Sequence, residues 1–208
     1  MKGMIVGLTL LIALWSSLAQ ADVIFTLGNH PQPGEENILF NSGQIGTTVT
    51  GEAIQSHILV DFSSQETLMT TANGQAVAEA QNGVINDITI NLAQGQTFST
   101  FGDFIFNLGC QPGSAGCGEA TVTAMANDGP HTFKYTLGTG VNFLTITTAN
   151  GERLISVSIE DASGFDQLTQ PRISGLSGLT VPEPATMLLI GSGLIGLVGY
   201  GRKRFFKK

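Results

Sequence analysis

Between residues 22 and 181, apolar and polar positions alternate with a period of two. Ile88, Ile90 and Leu92 are interleaved with Thr89 and Asn91, and Phe104 and Phe106 flank Ile105. Lys134 and Thr136 separate Phe133, Tyr135 and Leu137, while Ser156 and Ser158 separate Ile155, Val157 and Ile159. A strand sends successive side chains to opposite faces, so each run predicts a half-buried β-strand. Asn73-Gly74, Asn82-Gly83, Asp128-Gly129 and Asn150-Gly151 punctuate the runs, and such dipeptides accept the positive φ of tight turns. The clearest expected hairpin runs from 143–148 through Ala149-Asn150-Gly151-Glu152 into 153–160. Further strands are expected at 23–27, 58–62, 76–80, 121–126 and 172–174. No segment has a helical apolar stripe, although 63–70 is expected to turn once or twice. About ten short strands with regular turns predict an all-β fold, an antiparallel two-sheet sandwich of jelly-roll type.

The two ends break this pattern. Residues 1–21 carry Lys2, an apolar run over 4–15 and the small residues Ala19 and Ala21. These are the three regions of a secretory signal peptide, with cleavage expected between Ala21 and Asp22. At the other end, residues 182–208 combine Pro182-Glu183-Pro184, an uncharged stretch over 185–201 and a basic tail over 202–208. As a helix the uncharged stretch reaches about 25 Å, a minimal membrane span that needs bilayer thinning and snorkelling flanks. Arg202, Lys203, Arg204, Lys207 and Lys208 place the tail on the cytoplasmic side and the body, 22–181, outside. Within the span, Gly191-Ser192-Gly193-Leu194-Ile195-Gly196 matches a dinucleotide-binding spacing. It lacks the preceding strand and the later acidic residue of that site. Close approach of another membrane helix is the better use of those small residues.

Pro182 and Pro184 fix their own φ and bias Val181 and Glu183 toward extended backbone, the shape in which proteases bind peptides. A proline tripeptide, a short Gly-containing apolar helix and a terminal Arg/Lys cluster resemble the PEP-CTERM sorting signal of Gram-negative bacteria. The resemblance implies processing near Pro182-Glu183-Pro184 by an exosortase, a membrane-embedded cysteine protease or transpeptidase. It also implies a transient inner-membrane anchor, then delivery to the cell surface or extracellular matrix, often alongside exopolysaccharide or biofilm. It implies no activity for the body. The alternative is a plain linker before a permanent anchor.

Charge changes the picture once the ends are set aside. The whole chain carries a formal −7, but 22–181 holds fifteen acidic residues against Lys134, Arg153 and Arg172, which makes the body −12. Such a surface repels nucleic acid and anionic membranes. The two cysteines, Cys110 and Cys117, have neither His nor Cys neighbours for zinc. In an exported chain they are expected to form a disulfide that pins the loop between them.

Candidate chemistry in the body is sparse. His30, His57 and His131 lie at no metal-binding spacing, and no Gly-x-Ser-x-Gly elbow starts a triad. The nominal glycosidase carboxylates are Asp61 with Glu66 and Glu160 with Asp161. Calcium could be held by Asp128, or by Glu160, Asp161 and Asp166. For stacking on sugars the body offers Tyr135, its ten Phe residues being read as core. In the segment 164–175, Arg172 is expected to pair with a carboxylate and close the last strand. The body is therefore expected to be a non-enzymatic surface or matrix component. The alternatives are a polysaccharide-binding module and a carboxylate-dependent glycoside hydrolase.

Overall fold

The computed structural model describes residues 22–41, 43–72, 76–110 and 118–177. The regular elements among them are twelve β-strands. In chain order they are β1 (Asp22–Leu27), β2 (Glu36–Phe40), β3 (Ile45–Ala53), β4 (Leu59–Ala72), β5 (Ala76–Ala80) and β6 (Ile85–Leu92). They continue with β7 (Asp103–Cys110), β8 (Glu119–Ala126), β9 (Gly129–Thr136), β10 (Gly140–Ala149), β11 (Leu154–Phe165) and β12 (Gln167–Ser174). Alternation decides their faces: in β8 Ala120, Val122, Ala124 and Ala126 are buried, while Thr121, Thr123 and Met125 lie nearer solvent.

All pairings are antiparallel, and the hydrogen-bonded path is continuous from β1 through β10, β7, β12, β2, β3, β4, β6, β11 and β8 to β9. Two strands turn this ribbon into a closed body. Strand β4 is 14 residues long; it pairs β6 at Val60 to Ser63 and β5 at Leu68 to Ala72. Strand β12 pairs β5 at Gln167 to Thr169 and β2 at Arg172 and Ile173. Strands β12, β2, β3, β4 and β5 therefore close a ring. The remaining strands extend as two wings that fold over one core, and the outermost strands meet where Phe25 of β1 stacks on Phe133 of β9. A single sheet thus folds back on itself where two separately bonded sheets were expected.

One continuous core fills the interior. Phe62, Phe101, Phe104, Phe106 and Phe165 are its largest fully buried side chains, each contributing about 1.5–3 kcal/mol relative to exposure. Gly51 permits close approach at the ring: a β-carbon there would lie 2.4 Å from Ile38 Cγ2. Strand β7 is buried on both faces: Asn107 is bonded to Thr169 and Asn142, and the segment from Gly28 to Glu35 is tied to the flanking strands β10 and β12. That segment is held by His30 N donating to Thr145 Oγ1 at 3.1 Å and by Thr145 Oγ1 donating to the Gly28 carbonyl at 2.9 Å.

Three local expectations are corrected. Residues 63–70 do not turn; they continue β4, because cross-strand pairing to β5 overrides their weak helical preference. Asn150 (φ 55°) and Gly151 (φ 86°) do make a tight turn, with Glu152 N bonded to the Ala149 carbonyl at 3.0 Å. It is a corner and not a hairpin: β10 pairs β1 and β7, whereas β11 pairs β6 and β8. In the β8–β9 hairpin the two loop residues are Asn127 and Asp128, and Gly129 is already paired with Ala126. The expected signal peptide with Ala19 and Ala21, the segments 182–184, 185–201 and 202–208, the turn Asn73-Gly74 and Cys117 lie outside the described residues.

Candidate binding groove

The edge meeting of β1 and β9 leaves a groove of about 580 Å³ at one end of the fold, lined by Leu27, Gly28, 133–136 and 141–143. Alternation places Phe133 and Tyr135 on the inner face of β9, and Phe25 and Leu27 on the inner face of β1. The rings form a short stack: Phe25 to Phe133 is 5.3 Å between centroids, and Phe133 to Tyr135 is 6.1 Å. Leu27 is 57% exposed and Val141 72% exposed, so the rim is apolar and open. Asn142 fastens the far wall. Its Nδ2 donates to the carbonyls of Leu108 (3.0 Å) and Gly138 (2.9 Å), and its Oδ1 accepts from Gly138 N at 2.7 Å. Lys134 points outward and pairs with Glu119 at 3.0 Å. The Tyr135 hydroxyl is buried without a hydrogen-bond partner; burial, and then the nearby Asp161 charge, raise its pKa.

Beside the groove, Arg172 organises the covering segment. Its Nη1 lies 2.6 Å from Glu35 Oε1, its Nη2 donates to Asn29 Oδ1, and the guanidinium sits 5.9 Å from the Phe143 ring centroid. The carboxylate partner expected for Arg172 is thus Glu35, and the pair is mostly buried.

The carboxylates expected to act in pairs are engaged one by one. Glu160 and Asp161 are neighbours on β11 and point to opposite faces, Glu160 exposed and Asp161 buried. Asp61 Oδ1 accepts from Thr50 Oγ1 at 2.7 Å, and Glu66 Oε2 accepts from Ser64 Oγ at 2.6 Å. Glu66, Asp87, Glu160 and Asp161 all line one shallow acidic cleft, Asp161 from the buried side of β11. Burial, then the charges of Glu66 and Glu160, raise the Asp87 pKa. For Glu66, burial pulls upward, but hydrogen bonds led by Ser64 outweigh it and the net shift is downward.

The proposed calcium ligands are not assembled. Asp128 Oδ1 pairs with His131 Nε2 at 2.7 Å, and Asp161 Oδ1 accepts from Ser163 N and Gly164 N. No group of three or more His, Cys, Asp or Glu among the described residues could hold a metal ion. His57 Nδ1 contacts Glu52 Oε1 at 2.5 Å, and His30 Nε2 lies 3.0 Å from the Leu27 carbonyl. Cys110 is buried at the end of β7 and is not free. Phe133, Leu27 and Val141 were not singled out by sequence; the available signal was an alternating aromatic strand interrupted by Pro130 and Lys134, which marks an edge.

Residues 180–204 match the family model described as the PEP-CTERM protein-sorting motif. No curated protein sequence matches the chain. Among solved structures, the first family 29 carbohydrate-binding module from Piromyces equi is 7% identical, with 74% of this chain and 89% of that one covered at a TM-score of 0.29. Another family 29 carbohydrate-binding module is 13% identical, covering 76% and 86% at a TM-score of 0.28.

Proposed function

We propose that this chain, which carries the PEP-CTERM protein-sorting motif over residues 180–204, is an exported surface or extracellular-matrix protein. In this reading residues 1–21 direct export, 185–201 hold the chain in the inner membrane, and 202–208 fix the tail in the cytoplasm. An exosortase-type protease then cuts near Pro182-Glu183-Pro184 and releases the body. A bridge between Cys110 and Cys117 suits that oxidising destination. The body is a non-catalytic, jelly-roll-like interaction or structural module. Its carboxylates support this, since those nominated for hydrolysis are spent on strand neighbours or face opposite ways.

The observation that carries the reading is the sorting motif. Its test is mass spectrometry of the mature carboxyl terminus in cells with and without the processing enzyme. Loss of the terminal segment only when the enzyme is present is expected; identical full-length termini in both would leave a permanent anchor instead.

A second reading, polysaccharide binding, is favoured by the open groove itself, whose exposed apolar rim of Leu27 and Val141 stands beside the half-buried Phe133. Aromatic rings take the apolar C–H faces of sugars, and adjacent polar groups orient the hydroxyls. Pull-down on the organism's own exopolysaccharide tests it: retention by the wild-type protein that falls in Phe133→Ala supports the groove, and no retention of the wild type sinks the reading.

A further inference from the structure

We infer that the groove holds a polysaccharide by its acetyl groups, so that its ligand is an uncharged, N- or O-acetylated glycan; the inference rests on the polysaccharide reading above. The accessible apolar surface of the groove is aliphatic. Leu27 and Val141 are exposed, whereas Tyr135 is buried. Phe25 already stacks on Phe133, and the Arg172 guanidinium lies over the Phe143 ring. Two branched side chains suit a methyl group better than the broad C–H face of a sugar ring, which needs a clear aromatic face.

The polar side chains of the lining are largely spent. Asn142 Nδ2 donates to the carbonyls of Leu108, Gly138 and Gly140, and its Oδ1 accepts from Gly138 N. The Tyr135 hydroxyl is buried, and Lys134 turns to Glu119. What remains is the Thr136 hydroxyl and the main chain of β9, which ends the hydrogen-bonded path and pairs β8 alone. Just beyond β9, Leu137 N donates to the Gly118 carbonyl at 2.9 Å. In an antiparallel ladder bonded and unbonded residues alternate, so Phe133 and Tyr135 direct their main-chain groups to β8. The N–H groups of Lys134 and Thr136 face the other way, on the side of the groove that these residues line.

An acetyl group meets both features at once. Its methyl packs on Leu27 and Val141, and its carbonyl accepts from an edge N–H. A bare hydroxyl set against that rim loses its water and finds few side-chain partners, while a deoxy sugar brings the methyl without the carbonyl. Charge narrows the class further. The body carries −12, and Lys134, the basic residue of the lining, is paired with Glu119, so a uronate polymer is repelled.

The test titrates the full chain, held in lipid nanodiscs, with four uncharged probes: chitohexaose, cellohexaose, and acetylated glucomannan before and after saponification. Chitohexaose carries N-acetyl groups, native glucomannan carries O-acetyl esters, and the other two carry neither. Calorimetry reads affinity and amide hydrogen exchange reads the site. At least one acetylated probe should bind about tenfold or more tighter than its acetyl-free counterpart, slowing exchange at Lys134 and Thr136; the arm that responds separates amide from ester. Val141→Ser, at an exposed position, should erase that preference and leave the melting midpoint unchanged. Equal binding of acetylated and acetyl-free probes overturns the inference while the polysaccharide reading stands. So does retention on the organism's own exopolysaccharide without affinity for either acetylated probe. No retention on any of these polymers overturns both. Shielding of the two amides by nanodisc lipid before glycan is added would assign the groove to acyl chains, and a preference that survives Val141→Ser with both amides unaltered would move the glycan elsewhere; either result overturns the inference.

Discussion

Phe25 and Phe133 stack with ring centroids 5.3 Å apart and planes 10° from parallel, although they belong to the first and last strands of the hydrogen-bonded path. No main-chain ladder joins β1 to β9, so this contact is what holds the two wings together at the groove. Phe25→Ala should cost about 2–3 kcal/mol, below the ~3–5 kcal/mol of a fully buried Phe because the ring is only half-buried. It should also widen the groove. Denaturant unfolding measures the first effect, and faster amide exchange in β9 reports the second; unchanged β9 exchange would show that the wings are held elsewhere.

Arg172 and Glu35 should behave as a buried pair. Removing one partner leaves the other charge uncompensated where the segment from Gly28 to Glu35 is tied to β12. Arg172→Met is expected to cost about 3 kcal/mol, while the double variant Arg172→Met with Glu35→Gln recovers part of that loss. A double-mutant cycle by denaturant unfolding checks this, and additive losses would mean that Arg172 acts through Asn29 and Phe143 alone.

Much of the fold was legible because strands with a clean period of two, such as 88–92 and 121–126, carry their own evidence of burial. What escaped was non-local. Strand β3 buries few side chains, Val49 and Ala53 among them, and its run of Gly and Thr looks like loop until β2 and β4 pair on both sides. Strand β2 buries Glu36, whose Oε2 accepts from the main-chain N–H groups of Gln55 and Ser56 at 2.7 and 2.8 Å; a carboxylate in that place hides a strand. The Asn150-Gly151 turn was legible as a turn, but local chemistry cannot say whether the next strand returns to its neighbour or crosses to the other wing.

Reduction offers a separate test of the loop between β7 and β8. A bridge between Cys110 and Cys117 closes eight residues, worth about 2.5 kcal/mol in the chain-entropy model. For a body of this size that corresponds to a melting midpoint roughly 5–10 °C lower under reductant. Cys117→Ser should reproduce the drop without reductant, and a midpoint indifferent to both would leave the bridge without a stabilising role.

The groove was only partly visible from sequence. Tyr135 stood out by type, yet it is 8% exposed and its hydroxyl is buried; the accessible apolar rim belongs to Leu27 and Val141. These come from β1 and β10, more than a hundred positions apart, and nothing in either stretch signals that their ends converge on β9. The acidic residues misled in the opposite direction. They cluster in sequence at 160–161, but strand alternation leaves Glu160 exposed and buries Asp161.

The acidic cleft makes a pH prediction in which two groups oppose each other. Glu160 lies across from Asp87 in the β11–β6 register, and Glu66 borders the same cleft. The Asp87 pKa is raised by burial and then by its acidic neighbours. Its favourable contribution to folding is therefore complete below the unfolded value of about 3.9 and is lost as pH rises through the folded value. Glu66, with a net lowered pKa, contributes stability above its unfolded value, and that is lost as pH falls through the folded one. At neutral pH the charged Asp87 is thus the unfavourable member. Asp87→Asn removes that charge and retains an N–H donor for Glu66. The gain at pH 7 should be about 0.5 kcal/mol, the scale of exposed charge pairs, or roughly 1–2 °C in melting midpoint. It should shrink with added salt and vanish near pH 3, where Asp87 is already protonated. An Asp87→Asn midpoint equal to wild type at pH 7 and low salt would show that solvent screens the cleft completely.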